Sequence, residues 1–214
     1  MLVAALMLLQ LGLGLWGFEL VALDADRYSG YQHELNVYES VGVSEAELRD
    51  VQRLMAQYLG GAIPAEQMNR EVTLKGVVQP IFNEKEMAHM ADVVALFSLA
   101  RGVKWWALGI GTLLCAVALM LGARWRWAGL IGLGVWLGLA LGFGAAYGFN
   151  FERIFIRFHQ LLFTNKLWLL DPRTDAMIRM YPEQFFAWMA RDIGVYFGIG
   201  ALIPAAVPLA VLRR

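Results

Sequence analysis

Residues 105–148 read WWALGIGTLLCAVALMLGARWRWAGLIGLGVWLGLALGFGAAYG. Two apolar runs, 105–122 and 127–148, carry no charge and are parted by a link, 123–126, that holds Arg124 and Arg126. Each run comes close to, or reaches, the roughly 20 helical residues that a hydrocarbon core requires. Short arginine-bearing loops stay on the cytoplasmic side. The stretch therefore predicts two membrane-crossing helices that turn inside the cell.

Two further runs, 1–23 and 193–212, have the same character apart from Glu19 in the outer part of the first, and the chain finishes on Arg213 and Arg214. These arginines mark the same side as the link, and an even number of spans then places Met1 there too. The first run lacks a basic leader and a small-residue cleavage pattern, so it reads as a retained anchor. Segments 24–104 and 149–192 consequently face outward together. Trp105, Trp106, Trp127, Tyr147 and Tyr196 fall near span ends, where amphipathic rings favour the headgroup level. Pro204 and Pro208 are tolerable within a bundle, where the freed carbonyls find other partners. Gly109, Gly111, Gly132, Gly134, Gly138, Gly142 and Gly144 read as close helix packing in the second and third spans.

Composition agrees with lipid. Of 214 residues, 59% are hydrophobic and 17% charged, and the mean hydropathy is +0.52, against about a quarter charged in an ordinary soluble domain. Eighteen basic residues balance eighteen acidic ones, which leaves no basic stripe for nucleic acid. Cys115 is the lone cysteine; it excludes an internal disulfide and, in an apolar run, reads as an inert thiol. The expected fold is an all-α polytopic membrane protein, a four-transmembrane-helix bundle with a mainly helical extracytoplasmic cap.

The outward segments carry their own structure. SEAELRDVQRLMAQYLGG (44–61) opens with a capping box at Ser44 and Glu47, continues with Leu48, Val51, Leu54, Met55 and Leu59 at helical spacing, and stops at Gly60 and Gly61. Residues 70–78, with Val72, Leu74 and Val77, read as a strand. FNEKEMAHMADV (82–93) starts a helix at Asn83 and Glu86 that runs on towards the second span. Residues 149–163 form a mostly apolar helix, and turns follow at Asp171-Pro172 and Tyr181-Pro182.

The three histidines all lie in these outward segments. His89 shares a helical face with Glu86 and Asp92, and a carboxylate there could hold the ring in one tautomer. His159 stands among Phe155, Phe158, Leu162 and Phe163, a setting that disfavours the charged imidazole and leaves a base. On pattern alone, each is either a catalyst or a packing residue. His33, in a loop YSGYQHELN, reads as solvated. Arg153 and Arg157 either grip an anionic group or snorkel to the interface. Trp168, Phe185 and Phe186 either line an apolar cleft or anchor on lipid. A zinc site from His89, Asp92 and His159 is conceivable, without a diagnostic spacing. No GxSxG, HExxH or phosphate-loop motif occurs.

The strings FNEKEMAHMADV (82–93) and FHQLLFTNKLWLLDPRTDAMIRMYPEQFF (158–186), together with the four-span layout and the helix at 44–61, resemble the lipoprotein intramolecular transacylase family of bacterial membrane proteins. The resemblance implies an acyltransferase of the bacterial cytoplasmic membrane. Its substrate would be a diacylated bacterial lipoprotein, within membrane lipid, and its reaction would move the sn-2 acyl chain onto the α-amino group of the amino-terminal cysteine. It also implies two functional histidines, which here match His89 and His159, and it calls for no metal and no cofactor. On this resemblance Glu86 or Asp92 orients His89. Arg157, Asn165 and Asp171 are supports, and Phe158, Phe163, Trp168 and Phe186 exclude water. The competing readings are a non-catalytic protein that binds lipid or lipoprotein and a metal-dependent membrane hydrolase.

Overall fold

The computed structural model describes residues 1–74, 76–122, 128, 130–132, 134–138, 141 and 151–211, with backbone alone at 201 and 204–211. Among them the chain forms α1 (Leu2–Ala22), α2 (Ala25–Glu34), α3 (Val37–Val41), α4 (Glu45–Leu59) and α5 (Ala65–Met68). Strands β1 (Glu71–Leu74) and β2 (Val77–Pro80) follow, then α6 (Glu84–Met120), α7 (Phe151–Leu162), α8 (Ala176–Met180) and α9 (Glu183–Val211). The expected link 123–126, most of the expected span 127–148, and Arg213 and Arg214 lie outside the described residues, although those described between 128 and 141 are helical.

The chain divides into two compact units. One comprises Met1–Leu20, Leu99–Phe149 and Arg191–Arg214, the other Val21–Ser98 and Asn150–Ala190. In the first unit, α1 packs through a glycine face. A Cβ on Gly12 would stand 2.6 Å from Leu108 Cγ, one on Gly14 2.4 Å from the Phe197 ring, and one on Gly17 2.5 Å from Tyr196 Cβ. Close approach of this kind lets van der Waals contact hold helices together where lipid supplies no hydrophobic drive. The sequence placed these contacts in the second and third spans. The structure bears this out at two positions, where a Cβ on Gly111 would stand 3.1 Å from the Ala5 carbonyl oxygen and one on Gly132 3.1 Å from Gln10 Oε1, while Gly109, Gly134 and Gly138 meet no described residue. The tight face on α1 reflects position, because α1 has close neighbours in both α6 and α9. Gly142 and Gly144 lie outside the described residues. Cys115 is buried in a small cluster with Leu2, Ala5, Leu6, Ala118 and Ala128. Glu19, the one acid in the first apolar run, accepts from Arg101 Nε at 2.9 Å and from Lys104 Nζ.

The second unit is built as a water-soluble domain is built, on an apolar core with capped helices. Leu48, Val51, Met55 and Leu59 of α4 meet Val37 and Val41 of α3, Val72 of β1, Met90 of α6, and Met177 and Met180 of α8. The capping box forms: Ser44 Oγ accepts from Glu47 N, and Glu47 Oε2 accepts from Ser44 N at 3.1 Å. Glu47 Oε1 also accepts from Thr73 N at 3.1 Å, which ties β1 to the start of α4. The strand expected over 70–78 is instead two strands of an antiparallel hairpin, with Leu74 opposite Val77 and Glu71 opposite Pro80. Gly76, at φ +82°, takes the turn conformation that breaks the run. His33 lies on α2, not in a loop. The Asp24 side chain caps that helix at Arg27 N, and Tyr28 and Gln32, four residues apart, are buried beneath it.

Candidate active site

His89 and His159 both belong to the second unit, His89 in the second turn of α6 and His159 in the last turn of α7. Their ring centroids are 6.1 Å apart, with the planes inclined at 37°. Each is nearly sealed, at 6% and 8% exposure. Aromatic rings do the sealing. Around His159 stand Phe155 at 4.1 Å, Trp168 at 5.1 Å, and Phe158 and Phe163 at 5.6 Å each. Phe163 also meets His89 edge-on at 5.2 Å, and Phe186 covers Phe155 at 5.0 Å.

The two imidazoles differ in their bonding. His159 Nδ1 lies 2.8 Å from the Phe155 carbonyl oxygen one turn earlier. A carbonyl only accepts, so Nδ1 carries the hydrogen and the neutral ring presents its lone pair at Nε2. His89 Nδ1 is buried and has no hydrogen-bond partner among the described residues. Burial, and after it the neighbouring His159, pushes His89 down to about 4 against the upward pull of Asp92. Burial also lowers His159, opposed by its bond to Phe155. Both rings are therefore neutral at neutral pH, and a neutral imidazole with a free lone pair is the form a general base requires.

The acids proposed to orient His89 have other duties. Glu86 is 1% exposed; Oε2 accepts from Asn83 N at 2.8 Å and Oε1 from Met177 N at 2.6 Å. It closes the capping box of α6 and also caps α8. Burial lifts its carboxyl above the usual range, against the pull of those two N–H groups. Asp92 Oδ2 accepts from Asn165 Nδ2 at 2.8 Å, so it anchors the loop after α7. Neither acid bonds the His89 ring at Nδ1. Asn165 Oδ1 then accepts from Leu167 N, and its carbonyl from Trp168 Nε1, each at 3.1 Å. Arg157 is exposed and reaches only Gln160, at 3.5 Å. Asp171 is paired with Arg173 at 2.7 Å, and its Oδ1 accepts from Arg173 N in the turn. His89, Asp92 and His159 do not gather as a group able to hold a metal ion.

Two residues that pattern reading missed, Asp175 and Lys85, complete the framework. Asp175, 2% exposed, accepts from Asn83 Nδ2, Thr174 Oγ1, Asp171 N and Lys85 Nζ. Lys85 Nζ also donates to the Leu169 carbonyl at 2.6 Å. Asp175 precedes α8 as its N-cap yet makes no capping bond. Glu86 does the capping from α6, which leaves the Asp175 carboxylate to Asn83 and Lys85. The available signal was an aspartate at a helix start; its true partners lie about 90 residues earlier in the chain.

A family model described as lipoprotein intramolecular transacylase Lit matches residues 2–186. The chain belongs to that family. Membership makes it a membrane enzyme of acyltransferase type, in lipoprotein modification. Its fold is that of the membrane-integral lipoprotein intramolecular transacylase Lit from Bacillus cereus, with a TM-score of 0.81 at 19% identity over 99% of this chain and 94% of that one. Two forms of the Bacillus protein with one histidine replaced, by arginine or by alanine, each give a TM-score of 0.74 at 18% identity over 99% of this chain. They are covered to 90% and 92%. Among curated protein sequences none matches. The fold is thus all-α apart from one hairpin, membrane-integral and multi-pass.

Proposed function

We propose that this family member moves the sn-2 acyl chain of a diacylglyceryl lipoprotein onto the α-amino group of its amino-terminal cysteine, leaving a lyso-form lipoprotein. The observation that carries this reading is the pair of buried neutral imidazoles, 6.1 Å apart inside an aromatic wall. Donor ester and acceptor amine belong to one substrate molecule, so the enzyme needs no nucleophile of its own. It has to fold the two groups together, and such positioning lowers a barrier by several kcal/mol.

His159 is the base. As the amine nitrogen bonds to the acyl carbon, Nε2 takes a proton from that nitrogen. The same burial that lowers the imidazole's basicity makes the imidazolium a ready donor, and it returns the proton to the glyceryl oxygen as the carbon–oxygen bond breaks. An ester and an amine become an amide and an alcohol, with one proton moved and no co-reactant consumed. His89 donates an N–H to the oxyanion that develops on the carbonyl oxygen. General acid–base help of this kind contributes about 10²–10⁴-fold.

The same reading places spans at 1–23, 105–122, 127–148 and 193–212 of a bacterial inner membrane, with both termini and 123–126 in the cytoplasm and 24–104 and 149–192 outside. Among the described residues α1 and α6 are long and apolar enough to cross, and α9 has 29 residues. Alkaline phosphatase fused after residue 60 should be active and after residue 124 inactive; the reverse pattern sinks this orientation.

The deciding experiment is mass spectrometry of the amino-terminal peptide of a diacylated lipoprotein incubated with the protein. A transacylase conserves total acyl mass while one chain passes from oxygen to nitrogen. Loss of a chain identifies a hydrolase, and an unchanged peptide identifies a protein that only binds.

A further inference from the structure

An ester held beside a histidine base faces two nucleophiles, the substrate's amine and water. Attack by water would let His159 move a proton from water to the glyceryl oxygen, giving a free fatty acid and a lyso-form lipoprotein with its amine still bare. The wall around His159 decides whether water reaches the ester. Phe155 and Phe158 are placed by α7 itself and Phe163 by the residue that ends it, where Phe163 N still donates to the His159 carbonyl. Trp168 is different. It comes from the loop between α7 and α8, where no helix sets its place, and it is only half-buried.

Asn165 supplies what the helix does not. Its carbonyl accepts from the indole Nε1, its Oδ1 accepts from Leu167 N, and its Nδ2 donates to Asp92 on α6, one turn beyond His89. The bond from Lys85 to the Leu169 carbonyl fastens the other side of Trp168 to the same helix. Two bonds to α6, the helix that carries His89, thus hold the loop, and the indole is set 5.1 Å from the His159 ring. We infer that Asn165 is a positioning residue which, through Trp168, makes the site deliver the acyl group to the amine rather than to water. This deepens the transacylase reading and rests on it.

The test is the partition of products from a synthetic diacylated lipopeptide, with the full-length protein in phospholipid nanodiscs. N-acylated lyso peptide and free fatty acid are both quantified by mass spectrometry. Asn165→Ala and Trp168→Ala should each raise the share of hydrolysis by about tenfold or more, a change of about 1.4 kcal/mol in relative barrier. Asp92→Ala should follow them, whereas Asp92→Asn, which keeps an acceptor oxygen for Asn165, should stay within about twofold of the unaltered protein. A loop that served only folding would lower both products together. Unaltered partition in Asn165→Ala and Trp168→Ala, or equal loss of both products in folded protein, overturns the inference. Failure of the unaltered protein to form any N-acylated peptide overturns the transacylase reading instead.

Discussion

Two buried polar clusters lie along the first turns of α6, and they are finished differently. At Glu86 and Asp175 all four carboxylate oxygens accept hydrogen bonds, from Asn83, Met177, Thr174, Asp171 and Lys85. One turn further on, His89 keeps a buried Nδ1 with no hydrogen-bond partner among the described residues, and His159 commits its Nδ1 to the Phe155 carbonyl. Unsatisfied buried polar groups are costly, and the same unit also leaves one on each of Gln32, Gln52 and Arg179. The saturated cluster is a fastener. On the transacylase reading, the incomplete one is where the chemistry takes place.

The sharpest way to break this contrast is to remove the rings. His159→Ala and His89→Ala should each lower N-acylation by about 10²-fold or more while circular dichroism shows the helices retained; full turnover in both variants would end the catalytic account. Asp175→Ala should do the opposite. Stranding its buried donors costs about 2–3 kcal/mol, read as a lower unfolding temperature in detergent, and an unchanged temperature would show that the cluster fastens nothing. The pH dependence sharpens the point. Burial alone would raise the Asp175 carboxyl, but its four donors outweigh burial and hold it at about 2. The ordinary value is about 3.9, so the folded value is depressed. Its stabilisation is complete above that ordinary value and is lost as pH falls from there through about 2. The stability gap between the unaltered protein and Asp175→Asn should close in that window. The smallest effect belongs to His33, whose ring is 63% exposed and 3.2 Å from Glu45. Its replacement by alanine should cost about 0.5 kcal/mol or less and leave N-acylation unchanged; a large loss would add a third histidine to the chemistry.

Much of the second unit was legible. The capping boxes at Ser44–Glu47 and Asn83–Glu86 form as read, because a side chain three residues from a helix start needs no distant partner. The single strand over 70–78 was misread because alternation alone does not show where a chain turns, whereas Gly76 in a left-handed conformation does. The α2 helix escapes pattern reading because its buried face is only Tyr28 and the polar Gln32. At the site, His89 and His159 were chosen for their chemistry and the structure brings them together. Glu86, chosen for its spacing from His89, proved to serve two helix starts.

Helical spacing, apolar run length and the chemistry of imidazole are local properties, and the amino-acid sequence alone determined them: an α-helical membrane chain with two histidines worth watching. Tertiary structure alone decided which acids are spent on distant donors and that a loop tryptophan lies against the His159 ring. Each of those depends on a partner about 70 to 90 residues away or on the burial that such partners create, and no pattern within one segment encodes a contact with another.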